Sequence, residues 1–86
     1  MQKITLFHQE YCPYCREARR WMAELQKENP TYLKLDIELI DERKEPGLAD
    51  TFDYYFVPTY YIGGEKVHEG VASREKIRDV FEKALI

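Results

Sequence analysis

The chain contains two cysteines, Cys12 and Cys15, three positions apart with Pro13 and Tyr14 between them. A thiol pair at this spacing can close a disulfide, supply half of a metal site, or cycle between dithiol and disulfide as a redox centre. Structural zinc takes four ligands, and only His8 and His68 remain to complete such a set. A lasting disulfide is out of place in a reducing compartment, so in a chain expected to be cytoplasmic the pair reads as catalytic or metal-binding.

The elements around the pair decide which sulfur reacts. Lys3 to His8, KITLFH, is rich in β-branched and aromatic residues and is predicted to form a short strand buried on both faces. From Pro13 onward Ala18, Trp21, Met22 and Leu25 recur at helical spacing, and Asn29 is expected to end that helix before Pro30. Proline at the first helical position puts Cys12 at the N-cap. There a thiolate would accept hydrogen bonds from the backbone N–H of Tyr14 or Cys15 and face the positive end of the helix dipole. Cys12 is therefore the expected nucleophile, with a depressed pKa, and Cys15, one turn further in, the resolving thiol. Arg16 and Arg19 would support a thiolate while Glu10 and Glu17 oppose it; spacing does not rank them. His8 reads as a core-edge or solvated histidine, with tuning of Cys12 as its alternative role.

Beyond the first helix, Leu33, Leu35 and Ile37 alternate and predict a second strand within Thr31 to Leu39, parallel to the first by the right-handed crossover rule. Pro46 can open a helix carrying Leu48, Ala49 and Phe52, although Gly47 weakens it. Pro58 to Ile62 and the segment around Val67 to Gly70 read as two strands joined by a tight turn at Gly63-Gly64. Ser73 is expected to cap a last helix with Ile77, Val80, Phe81, Ala84 and Leu85 on one apolar stripe. Tyr54, Tyr55, Phe56, Tyr60 and Tyr61 read as sheet packing, with an exposed member near Pro58 lining a peptide groove as the other reading. The order β-α-β-α-β-β-α makes one α/β domain over residues 1–86, a four-stranded mixed sheet flanked by helices. A net charge of −3 excludes the basic footprint of a nucleic-acid binder. Without a signal peptide or a run of about 18 apolar residues, the chain is expected to be a soluble monomer with no membrane partner.

Tyr11-Cys12-Pro13-Tyr14-Cys15, followed by Ala18-Arg19, resembles the active site of the dithiol glutaredoxins, and the resemblance extends over nearly the whole chain. It implies a thioredoxin-like fold, glutathione as co-substrate with no tightly bound cofactor, and a cis Pro58 against the active-site disulfide. Tyr14 and Val57 are the positions it implies for glutathione contact. The stretch EPGLADTFDYYFVPTYY resembles thioredoxin instead, with Pro-Gly, a short helix ending in an aromatic, and Pro-Thr. Gln9 stands where glutaredoxins carry a lysine, and Val67 to Ser73 replaces their Gly-Gly-acidic segment. Each missing charged contact removes about 1.5–3 kcal/mol from glutathione binding. The expectation is a thiol–disulfide oxidoreductase acting on protein or glutathione mixed disulfides. Its alternatives are a thioredoxin-like protein disulfide reductase served by a flavin reductase, and an iron–sulfur or redox-sensing module.

Overall fold

The computed structural model describes all 86 residues. Its elements run β1 (Ile4–His8), α1 (Pro13–Glu28), a 3₁₀ helix (Pro30–Lys34), β2 (Ile37–Asp41), α2 (Pro46–Ala49), β3 (Thr59–Ile62), β4 (Glu65–Glu69) and α3 (Arg74–Leu85). The four strands form one mixed sheet in the order β2-β1-β3-β4. β1 is central, parallel to β2 with His8 opposite Asp41, and antiparallel to β3 with Phe7 opposite Thr59. Its interior position explains its composition: Ile4 and Leu6 join a core with α1 and α3, while Phe7 joins a second core on the other face.

The larger core includes Leu6, Ala18, Met22, Tyr60, Ile77 and Phe81. α3 presents its expected stripe there, and the Ser73 hydroxyl caps it by accepting from the N–H of Lys76 at 3.1 Å. The smaller core centres on Phe7, whose ring lies 4.7 Å from Phe52 and 4.9 Å from Tyr54, with Tyr61 edge-on at 5.8 Å. Gly63 and Gly64 turn the β3–β4 hairpin at φ of 55° and 90°, the left-handed backbone such a two-residue turn requires.

The second strand lies later than the alternation of Leu33, Leu35 and Ile37 predicts. Pro30–Lys34 is a 3₁₀ helix and the strand begins at Ile37. Asn29 starts this helix by accepting from the N–H of Thr31 at 3.2 Å, and Pro30 fixes φ at its first position. With three residues per turn, Tyr32 and Leu35 reach the core together while Leu33 stays 65% exposed. α2 is also shorter than expected, a single turn after Pro46, and Phe52 follows it as part of a loop.

Two aromatic substitutions in the larger core are expected to act oppositely. Phe81 is fully buried, so Phe81→Ala should cost about 3–5 kcal/mol in urea unfolding. The Tyr60 hydroxyl is buried without a hydrogen-bond partner, so Tyr60→Phe should gain about 1 kcal/mol. A comparable loss in Tyr60→Phe would show that the hydroxyl is satisfied in solution.

Candidate active site

Cys12 has extended backbone, φ −74° and ψ 124°, and Pro13 follows as the first residue of α1, so the cysteine sits at the N-cap as expected. The two sulfurs then meet different surroundings. Cys12 is partly exposed; Cys15 is fully buried. Partial burial works to raise the Cys12 thiol, but the backbone N–H of Cys15, its side chain, the N–H of Tyr14 and the charge of Arg19 outweigh it. The pKa of Cys12 is lowered, which favours the nucleophilic thiolate. Cys15 is pushed up to about 12 by burial, against the Gln9 N–H that reaches its Sγ at 3.5 Å, and further by the hydrogen bond and charge of Cys12. One sulfur is poised to attack and the other holds its proton.

Arg19, one turn beyond Cys15 on α1, folds back onto the loop between β1 and α1. Its guanidinium donates to the carbonyl of Glu10 at 2.9 Å, to that of Gln9 at 3.4 Å, and to His8 Nδ1 at 2.9 Å. Because arginine only donates, His8 Nδ1 must be the acceptor and the neutral ring carries its proton on Nε2. Burial first, and then Arg19, lower the His8 pKa and keep that form. His8 therefore meets the site through Arg19. Arg19, and not Arg16, is the cation that favours both thiolates. The acidic neighbours that could oppose it are paired, Glu17 with Arg20 and Glu10 with Lys44 at 3.1 Å.

Further bonds tie the loop to the end of β2. Asp41 accepts from the N–H of Glu10 at 3.1 Å, and the Gln9 side chain donates to Glu42, whose other oxygen takes the Tyr54 hydroxyl at 2.7 Å. The Gln9 amide is thus committed inside the chain. Of the remaining sequence candidates, the Val57–Pro58 bond is cis and Pro58 is fully buried, one step past the Phe7–Thr59 pair at the end of β1 where the cysteine loop departs. Neither the N–H nor the C=O of Val57 is taken up in a hydrogen bond. Tyr14 is 58% exposed beside the cysteines. His68 Nε2 lies 3.1 Å from the Gly70 carbonyl, and no three His, Cys, Asp or Glu side chains converge as metal ligands.

Residues 2–82 match the family model described as thioredoxin domain. A thioredoxin of Methanocaldococcus jannaschii is 30% identical over 83 residues, 96% of this chain and 95% of that protein. A monothiol glutaredoxin of Oryza sativa subsp. japonica, glutaredoxin-S6, is 34% identical over 65 residues, 76% of this chain but 49% of that protein. Among solved structures, oxidised thioredoxin from Plasmodium falciparum superposes with a TM-score of 0.72 at 22% identity, over 95% of this chain and 79% of that one.

Alkylation should separate the two cysteines. Iodoacetamide at neutral pH should label Cys12 alone, with a rate that rises through a pKa below the ordinary thiol value, and Cys15 should react only after unfolding. Arg19→Gln should move the Cys12 titration, followed by thiolate absorbance, upward, and Arg19→Lys should restore most of it.

Proposed function

We propose that this chain, which belongs to the thioredoxin domain family, is a dithiol reductase of protein disulfides. The observation that carries the reading is the asymmetry of the pair, a partly exposed Cys12 whose pKa is lowered beside a buried Cys15 whose pKa is raised.

The Cys12 thiolate attacks one sulfur of a substrate disulfide, forming a Cys12–substrate bond, and the other substrate sulfur leaves as a thiolate that takes a proton from water. Cys12 is then neutral and can no longer receive a hydrogen bond as an anion. That removes two of the influences holding the Cys15 proton, the charge and hydrogen bond of Cys12. Cys15 loses its proton to solvent and attacks Cys12 Sγ, the mixed disulfide breaks, and the substrate's second thiolate departs. Two electrons have moved, the substrate is a dithiol, and the enzyme holds a Cys12–Cys15 disulfide. The free backbone groups of Val57, next to cis Pro58, suit antiparallel pairing with an extended substrate segment.

Two features support protein disulfides over glutathione adducts. Gln9 occupies the position of the glutaredoxin lysine, and Glu42 holds its side chain. Position 9 therefore offers glutathione no cation. The working partner we assign is a flavin-dependent disulfide reductase, in a reducing compartment such as the cytoplasm.

The test is turnover of insulin with NADPH and thioredoxin reductase against turnover with glutathione and glutathione reductase. Faster turnover in the first system is expected. Cys12→Ser should abolish activity, and Cys15→Ser should trap the mixed disulfide with substrate. Sustained activity of Cys15→Ser on glutathione mixed disulfides would instead place the chain with the glutaredoxins in function.

A further inference from the structure

The loop that leads into cis Pro58 keeps two neighbouring aromatic rings in water. Tyr55 is 86% exposed and Phe56 68%, whereas Phe52 and Tyr54, just before them, pack against Phe7. Adjacent exposed aromatics are costly unless something binds them, and a slack loop would fold them inward.

This loop is not slack. The Asp53 carbonyl accepts from the Tyr61 hydroxyl at 2.7 Å and from Lys66 Nζ at 3.2 Å, and the Tyr54 hydroxyl is held by Glu42. One oxygen of Glu69, on β4, accepts from the N–H of Tyr55 at 2.7 Å and of Phe56 at 3.0 Å, and its other oxygen takes Lys66 Nζ at 2.6 Å. Thr59 then donates its hydroxyl to the Phe56 carbonyl. Gly70, next to Glu69 and at φ +88°, donates its N–H to the Pro58 carbonyl at 2.9 Å, and a Cβ there would lie 3.9 Å from that of Phe56. With both N–H groups fastened to β4, the Tyr55 and Phe56 side chains stay outside, and the chain passes at once into Val57 and Pro58.

We propose that Glu69 is a positioning residue for substrate choice: its carboxylate holds the Tyr55–Phe56 ridge so that the ridge receives an apolar side chain of an extended protein substrate, close to the cystine being reduced. Two aromatic faces beside the open backbone of Val57 suit an aromatic or large aliphatic residue on a strand paired there. Lys66 and the two N–H groups hold the Glu69 carboxyl down to about 2, so it stays ionised and the clamp stays charged at any working pH. Glu69 touches neither cysteine in this arrangement; it acts through the loop. The inference rests on the dithiol-reductase reading and adds the class of substrate that reading favours.

The experiment compares two substrates, with dithiothreitol as reductant so that the physiological partner does not enter. Glu69→Ala should raise KM for insulin about tenfold with kcat nearly unchanged, and leave oxidation of the reduced enzyme by bis(2-hydroxyethyl) disulfide within about twofold. Amide exchange at Tyr55 and Phe56 should quicken about tenfold or more while the core amides keep their protection. Glu69→Gln, which keeps an acceptor oxygen without the charge, should fall between. The Tyr55→Ser/Phe56→Ser variant, altered only at exposed side chains, should show the same split, and adding Glu69→Ala to it should give little further loss. Equal slowing with both disulfides, an unchanged insulin KM, or fully additive losses would overturn the role given to Glu69. Failure of the wild-type protein to reduce either disulfide would instead sink the dithiol-reductase reading itself.

Discussion

The site depends on a cation that reaches backward. Only four residues separate the end of β1 from the start of α1, and Arg19 spans that corner by donating to His8 and to the Gln9 and Glu10 carbonyls. The guanidinium has several donors in a planar fork, which lets one side chain fix two carbonyls and a ring nitrogen together. Held this way, the loop aims the Gln9 N–H at Cys15 Sγ and leaves Cys12 at the mouth of the helix. The same charge favours ionised sulfur at both cysteines, so a single residue contributes to the shape and to the electrostatics of the corner.

Against that shared influence, burial separates the two thiols. They lie one helical turn apart and feel the same cation, yet one sulfur is open and the other is enclosed. Their coupling then orders the reaction in time. Cys15 is held protonated in part by the anion it will later attack, and it is freed when that anion becomes a neutral disulfide.

What could be read from the chain was what is encoded within a few residues. Pro13 after Cys12 implies a helix start, Gly63-Gly64 a hairpin and Ser73 a cap, and each lies where it was expected. Pro58 in the cis form followed from family resemblance, since an isolated X–Pro pair favours trans. The misplaced second strand shows the limit of pattern. Leu33, Leu35 and Ile37 alternate as a strand would, but Asn29 and Pro30 start a tighter helix first, and a period of three competes with a period of two over so short a run. Arg16 and Arg19 looked equivalent until the rotation of α1 was known. The Glu42 bridge between Gln9 and Tyr54 and the Glu69 clamp join residues distant in sequence, and no local spacing announces either.

A sheet ordered β2-β1-β3-β4 has β2 and β4 as its edges, and both carry charged residues. On β2, Glu38 pairs with Lys3 at 2.8 Å; on β4, Lys66 and Glu69 pair with each other. Charged edge strands repel the indiscriminate pairing that leads to aggregates. A protein whose proposed work is to receive other proteins' extended segments faces that hazard directly. Guarded edges, with Val57 left unpaired in the loop just before β3, suit the admission of a single strand at the dithiol without making the sheet a seed for many.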